Sequence, residues 1–230
     1  MPLIVNEFEN TEALNQQFGQ RILRILTAAI EQKGHSSLVV SGGSTPKPLF
    51  QFLSLQALAW DKVTVTLADD RWLDNTQADS NEKLVREHLL VNKAAAANFV
   101  SLLTQDDDAT DAEEEISRRI DAIDDEFDVL ILGMGEDGHT ASLFPCSAQI
   151  AAGLDLNRTL SAIATQPSTA PYQRMSMSLA KIIKAKNVFL HLTGEKKRQV
   201  LSSAIADYSI LEKPIKAVCE NTDVSLMWAP

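Results

Sequence analysis

Phe127-Asp-Val-Leu-Ile-Leu-Gly-Met-Gly-Glu-Asp-Gly-His-Thr-Ala-Ser-Leu-Phe-Pro145 joins an apolar run to a glycine-rich turn. Residues Phe127–Leu132 read as a buried strand, because a short run of branched apolar side chains ends at a glycine. Three glycines then make a tight turn and deliver His139 beside Glu136 and Asp137. In open α/β sheets ligands bind outside the carboxyl ends of the strands. An imidazole placed there can move protons near neutrality.

Elements of helical and strand character alternate on either side of this stretch. Leu14, Phe18, Ile22, Ile25, Leu26, Ala29 and Ile30 recur at helical spacing and predict an amphipathic helix ending at Gly34. Ser37–Ser41 and Val63–Ala68 predict strands, and Pro46–Leu55 a helix with proline in its first turn. Asp79, three residues before Glu82, predicts a capped helix running to Leu90. The acidic segment 105–126 carries Ile116, Ile120 and Ile123 at helical spacing. Thr159–Ala164, Asn187–Leu192, Ile215–Cys219 and Val224–Trp228 are expected to be further strands, with a helix over Glu195–Ala206. Strands separated by helix-length segments pair in parallel through right-handed crossovers. The expected fold is a doubly wound α/β domain, a mainly parallel sheet with helices on both faces. No repeat or linker divides residues 1–230, so one domain is expected.

Composition narrows the function. The 230 residues carry a formal charge of −10, which disfavours nucleic acid as a partner. No apolar run approaches a membrane span, and Met1–Asn10 lacks the basic start and apolar stretch of a signal peptide. Cys146 and Cys219 suggest reduced thiols, so a cytoplasmic setting is expected. The four histidines show no metal-binding spacing and the cysteines lie far apart, so no zinc site is expected. A G-x-S-x-G elbow is missing, which disfavours a serine nucleophile.

Three further motifs accompany the glycine-rich turn. Ser41-Gly-Gly-Ser-Thr-Pro46 lies between a strand and a helix. The amides of Gly42 and Gly43 and the hydroxyls of Ser44 and Thr45 there suit a phosphate; the same residues also suit an ordinary helix cap. Asp69-Asp-Arg71 follows the Val63–Ala68 strand, where it is either a ligand contact or a solvated ion pair. Arg174 and the basic pair Lys196-Lys197 could complete an anion site, with either lysine facing inward. Gly133, Gly135 and Gly138 match the dinucleotide fingerprint G-x-G-x-x-G. Glu136 and Asp137 would however place negative charge where a pyrophosphate must lie, and Pro145 cuts short the supporting helix.

Taken together, Ser41–Pro46, Asp69–Arg71 with Ser80-Asn81, Gly133–Pro145, Arg174 and Gly194–Lys197 resemble the 6-phosphogluconolactonase family over nearly the whole chain. Two departures are Asp70, where the family more often has glutamate, and Leu73-Asp74, where a valine-proline pair is common. Glucosamine-6-phosphate deaminases share the fold, but their motif continues with a different ending that contains a glutamate. Here it ends Ala141-Ser-Leu-Phe-Pro145. The resemblance implies hydrolysis of a small sugar-phosphate lactone without metal or organic cofactor, with His139 as general base. Asp137 or Asp69 would orient the imidazole. Arg71 would serve either the oxyanion or the phosphate, which Gly42, Gly43, Ser44, Thr45, Arg174 and Lys197 would hold. No membrane contact is expected, and a monomer or weak dimer is favoured.

Overall fold

A computed structural model describes residues 3–230. In chain order the strands are β1 (Leu3–Glu7), β2 (Ser36–Val40), β3 (Val63–Leu67), β4 (Asp69–Arg71) and β5 (Asn98–Val100), then β6 (Val129–Leu132), β7 (Ala162–Thr165), β8 (Arg174–Met177), β9 (Val188–Thr193) and β10 (Val224–Ala229). The helices are α1 (Thr11–Lys33), α2 (Lys47–Ser54), α3 (Asn81–His88), α4 (Glu113–Asp121), α5 (Ile150–Gly153), α6 (Leu179–Ile182), α7 (Glu195–Asp207) and α8 (Ile215–Asn221).

Seven strands form one sheet in the order β1-β10-β9-β6-β2-β3-β5, and every pairing in it is parallel. All residues of β2, β6 and β10 are buried, as a strand covered on both faces requires. From β2 the chain builds outward through β3 to β5; from β6 it builds the opposite way through β9 to β10. The order therefore reverses between β2 and β6, which pair through Leu38–Val129 and Val39–Leu130. The loops after these two strands part at the same sheet edge, leaving a crevice between them.

The local rules are visible in α1. Asn10 caps it by accepting from the Ala13 amide at 2.9 Å, and Gly34 ends it at φ +83°, where a side chain would be strained. Leu14, Phe18, Ile22, Leu26 and Ala29 form its buried stripe. Phe18 meets Phe189 of β9 with ring centroids 5.0 Å apart.

Three expectations are corrected. Thr159–Ala164 does not extend the parallel sheet: β7 belongs to a second, antiparallel sheet ordered β4-β8-β7. The chain crosses from one sheet to the other at Ala68, whose amide donates to Val40 and whose carbonyl accepts from Met177, both at 2.8 Å. Ile215–Cys219 is helical. Pro214 opens α8 with its fixed φ of −55°, and Ile215, Val218 and Cys219 bury a face at helical spacing. The α3 cap is Ser80 and not Asp79; its hydroxyl accepts from the Lys83 amide at 3.2 Å.

Leu26 is fully buried at the centre of the α1 stripe. Leu26→Ala is expected to lower the unfolding free energy by about 2–5 kcal/mol, measured by urea denaturation. A loss below about 1 kcal/mol would mean that α1 does not seal the sheet as described.

Candidate active site

The crevice at the β2/β6 reversal holds a cavity of about 280 Å³. Residues from the β2–α2 loop, β4, the loop after β6, β8, β9 and the start of α7 line it. Of the residues singled out in the sequence, Gly42, Gly43, Ser44, Thr45, Asp69, Arg71, His139, Arg174 and Lys197 are on its wall. Asp137 is not, but it contacts one that is.

His139 sits on a turn built to hold it. The Gly135 amide donates to the His139 carbonyl at 3.0 Å, and the Gly138 amide donates to the Gly135 carbonyl at 3.0 Å. Gly138 takes φ +83°, a conformation glycine adopts without cost. A Cβ on Gly135 would stand 2.2 Å from the imidazole Cε1, so the ring occupies the space that a side chain there would need. Beyond the histidine, Ser142 is tied to the second sheet: its amide donates to Ser176 Oγ at 3.1 Å and its hydroxyl to Asp69 Oδ2 at 2.5 Å. Thr165 Oγ1 in turn donates to the Ser142 carbonyl at 3.0 Å. Both sides of the turn are thus fixed.

The imidazole Nδ1 lies 2.5 Å from Asp137 Oδ1, and the ring stacks on Phe144 with centroids 4.0 Å apart. Burial works to raise the Asp137 carboxyl, but the hydrogen bond and charge of His139 outweigh it, so its pKa falls below the ordinary value. The carboxylate oxygen accepts from Nδ1–H, which fixes the tautomer and leaves Nε2 as the basic nitrogen. Among the described residues Nε2 has no protein partner. Asp69, the other orienting candidate, spends its carboxylate on Ser142 and does not reach the ring.

Arg71, Arg174 and Lys197 line the same cavity. Arg71 and Arg174 face each other in register across β4 and β8. Arg174 is 6% exposed, lies 5.4 Å over the Phe144 ring, and donates from Nη2 to the Pro171 carbonyl at 3.2 Å. Its Nε is buried without a partner. Burial, abetted by Arg71, lowers its pKa against the attraction of Asp69 and Asp70. Of the two adjacent lysines, Lys197 lines the cavity, whereas Lys196 pairs with Glu136 at 2.6 Å on the surface.

Two lining residues lie outside the site expected from the sequence. Asn81 reaches the cavity from the first turn of α3, and His191 from β9. His191 is 3% exposed with both ring nitrogens unpartnered; burial and then the nearby Lys197 push its pKa down to about 4, so it stays neutral. A histidine inside an apolar strand carries no sequence signal for a site, and Asn81 is marked only by the Ser80-Asn81 pair that shares in the family resemblance. Among the described residues no three His, Cys, Asp or Glu side chains gather as a metal site would require.

Residues 9–228 match the family model described as glucosamine-6-phosphate isomerases/6-phosphogluconolactonase. The chain belongs to this family. A 6-phosphogluconolactonase of Pseudomonas putida is 37% identical over 98% of this chain and 93% of its own. One from Neisseria meningitidis is 38% identical over 96% and 95%. The crystal structure of a 6-phosphogluconolactonase from Shewanella baltica superposes with a TM-score of 0.96 at 39% identity, covering 100% of this chain and 98% of that one.

Two outcomes are expected from this geometry. Gly135→Ala should displace the imidazole from Asp137 and abolish turnover while leaving the unfolding midpoint close to wild type; retained turnover would show that the ring position is not critical. The second concerns Asp70, 8% exposed, whose pKa burial raises to about 6 from an ordinary 3.8. Between those values the folded chain binds more protons than the unfolded one. Asp70 therefore stabilises below about pH 4 and loses that contribution as pH rises to 6. Wild-type stability relative to Asp70→Asn should fall across this window by up to about 3 kcal/mol and stay flat above it. A difference independent of pH would contradict the shift.

Proposed function

We propose that this chain hydrolyses 6-phospho-D-glucono-1,5-lactone to 6-phosphogluconate, the second step of the oxidative pentose phosphate pathway. The observation that carries it is His139: an imidazole fixed by Asp137 through Nδ1, with Nε2 unpartnered among the described residues, on a cavity shared with Arg71, Arg174 and Lys197. The full-length relatives bearing that enzyme's name support the substrate.

A lactone carbonyl is already electrophilic. Catalysis needs an activated water, a stabilised oxyanion and a protonated leaving oxygen. His139 Nε2 takes a proton as water adds to the carbonyl carbon, and Asp137 stabilises the imidazolium that forms. The tetrahedral intermediate then expels the ring oxygen, which receives the same proton. One histidine thus serves both steps and returns to its starting state. The Gly42–Thr45 loop, Arg174 and Lys197 hold the phosphate, so that remote binding positions the reacting end. Arg71 adds positive charge to the same wall.

Residues 1–230 act as one domain in this reading; one continuous core running from Leu14 to Ala229 supports that. A cytoplasmic setting and a monomeric or weakly dimeric state belong to it too. Cys146 and Cys219 are free thiols, and no described helix is long and apolar enough to cross a membrane.

The test is initial-rate hydrolysis of the phospholactone, corrected for the spontaneous reaction. The wild type should accelerate it, and His139→Ala should lower kcat roughly 10²–10⁴-fold with KM near the wild-type value. Ammonia release from glucosamine 6-phosphate with no lactone turnover would replace the proposal by a deaminase.

A further inference from the structure

Asp70 does not line the cavity, yet it holds two residues that do. Its neighbours in β4, Asp69 and Arg71, face the cavity, and strand alternation turns Asp70 the other way. There its Oδ1 accepts from the Arg71 amide and the Asn81 amide, each at 2.7 Å. Its Oδ2 accepts from the Glu82 amide at 2.9 Å and the Ser80 hydroxyl at 3.3 Å. Four donors thus converge on one buried carboxylate. Burying a carboxylate costs free energy that such donors and the positive end of α3 only partly offset.

Capping alone does not explain this arrangement, because Ser80 already caps α3 through the Lys83 amide. The second function lies in Asn81. Its Oδ1 accepts from Arg71 Nη1 at 2.7 Å, and its Nδ2 donates to the Asp69 carbonyl at 2.9 Å. It packs so closely on the β2–α2 loop that a Cβ on Gly42 would stand 1.8 Å from Asn81 Oδ1. Arg71 Nη1 also donates to the Asp79 carbonyl at 2.8 Å. One nitrogen of the guanidinium is therefore fixed from two sides, while Nη2 and Nε have no protein partner among the described residues.

We propose that Asp70 is a positioning residue: its carboxylate clasps the start of α3 to β4 and, through Asn81, holds the Arg71 guanidinium in the orientation that meets the anionic substrate. This rests on the lactonase reading of the cavity. A charged side chain with many rotamers loses binding strength when it must be ordered at each encounter. The clasp orders it beforehand. A misplacement of about 1 Å can cost as much as 10²-fold in such a site.

The test is a double-mutant cycle in kcat/KM for phospholactone hydrolysis, using wild type, Asp70→Asn, Arg71→Ala and the double variant, with unfolding midpoints measured in parallel. Asp70→Asn alone should lower kcat/KM by about tenfold or more. In the Arg71→Ala background it should change it by less than about twofold, since the group it positions is gone. Equal losses in both backgrounds, or no loss in the first, would overturn the proposal. If Asp70→Asn does not fold, Asn81→Ala replaces it in the cycle, keeping Asp70 and its amide contacts. Additivity of Asn81→Ala with Arg71→Ala would overturn the proposal equally. A wild type that does not turn over the lactone defeats the lactonase reading instead, and the same cycle is then read from inorganic phosphate affinity by calorimetry, with the same criteria.

Discussion

A parallel sheet can be covered on both faces only if the chain leaves its middle in two directions, and in this protein it does so between β2 and β6. That single reversal parts the loop at Gly42–Thr45 from the loop at Gly133–Pro145 while keeping both at the same edge. The residues of the candidate site are arranged around the resulting crevice. β9, next to β6, contributes His191 from its interior and Lys197 from the helix that follows it.

The second sheet completes what the first begins. β3 runs almost directly into β4 through Ala68, which carries Asp69 and Arg71 from the main sheet to the cavity wall. Its partner β8 sets Arg174 opposite Arg71. The same small sheet anchors the histidine turn, because Asp69, Ser176 and Thr165 each bond to Ser142. On the other side, the Ile215 amide donates to the Gly138 carbonyl at 3.0 Å, so α8 braces the turn from outside. His139 and the cations are thus parts of one framework, which suits the proposed reaction, in which one histidine both takes and returns a proton.

Where the sequence carried periodicity or a glycine signature, it was legible. The α1 stripe from Leu14 to Ala29, the strand ending at Leu132 and the turn delivering His139 follow from spacing and turn chemistry alone. What could not be read has a physical reason in each case. Ile215–Cys219 is short, branched and apolar, equally suited to strand or helix, and Pro214 with its tertiary packing decides for helix. β4 is three residues long and wholly polar, and β8 is four residues long, so its alternation of Arg174 and Ser176 with Met175 and Met177 is too brief to mark a strand. Nothing in its neighbours marks His191, and Asn81, though part of the motifs that carry the family resemblance, has no role legible there because its contacts with Arg71 and Gly42 are tertiary. Asp137 and Asp69 were indistinguishable as partners of the imidazole, as were Lys196 and Lys197 as cavity residues. Tertiary geometry separates both pairs.

The central claim is that Nε2 of His139 stands over the reacting carbon while the cations hold the far end of the ligand. A crystal structure with 6-phosphogluconate bound tests this most directly. The sugar carboxylate should lie about 2.6–3.2 Å from His139 Nε2, with the phosphate against Gly42–Thr45, Arg174 and Lys197. A ligand bound with its phosphate at His139, or bound outside this crevice, would contradict it.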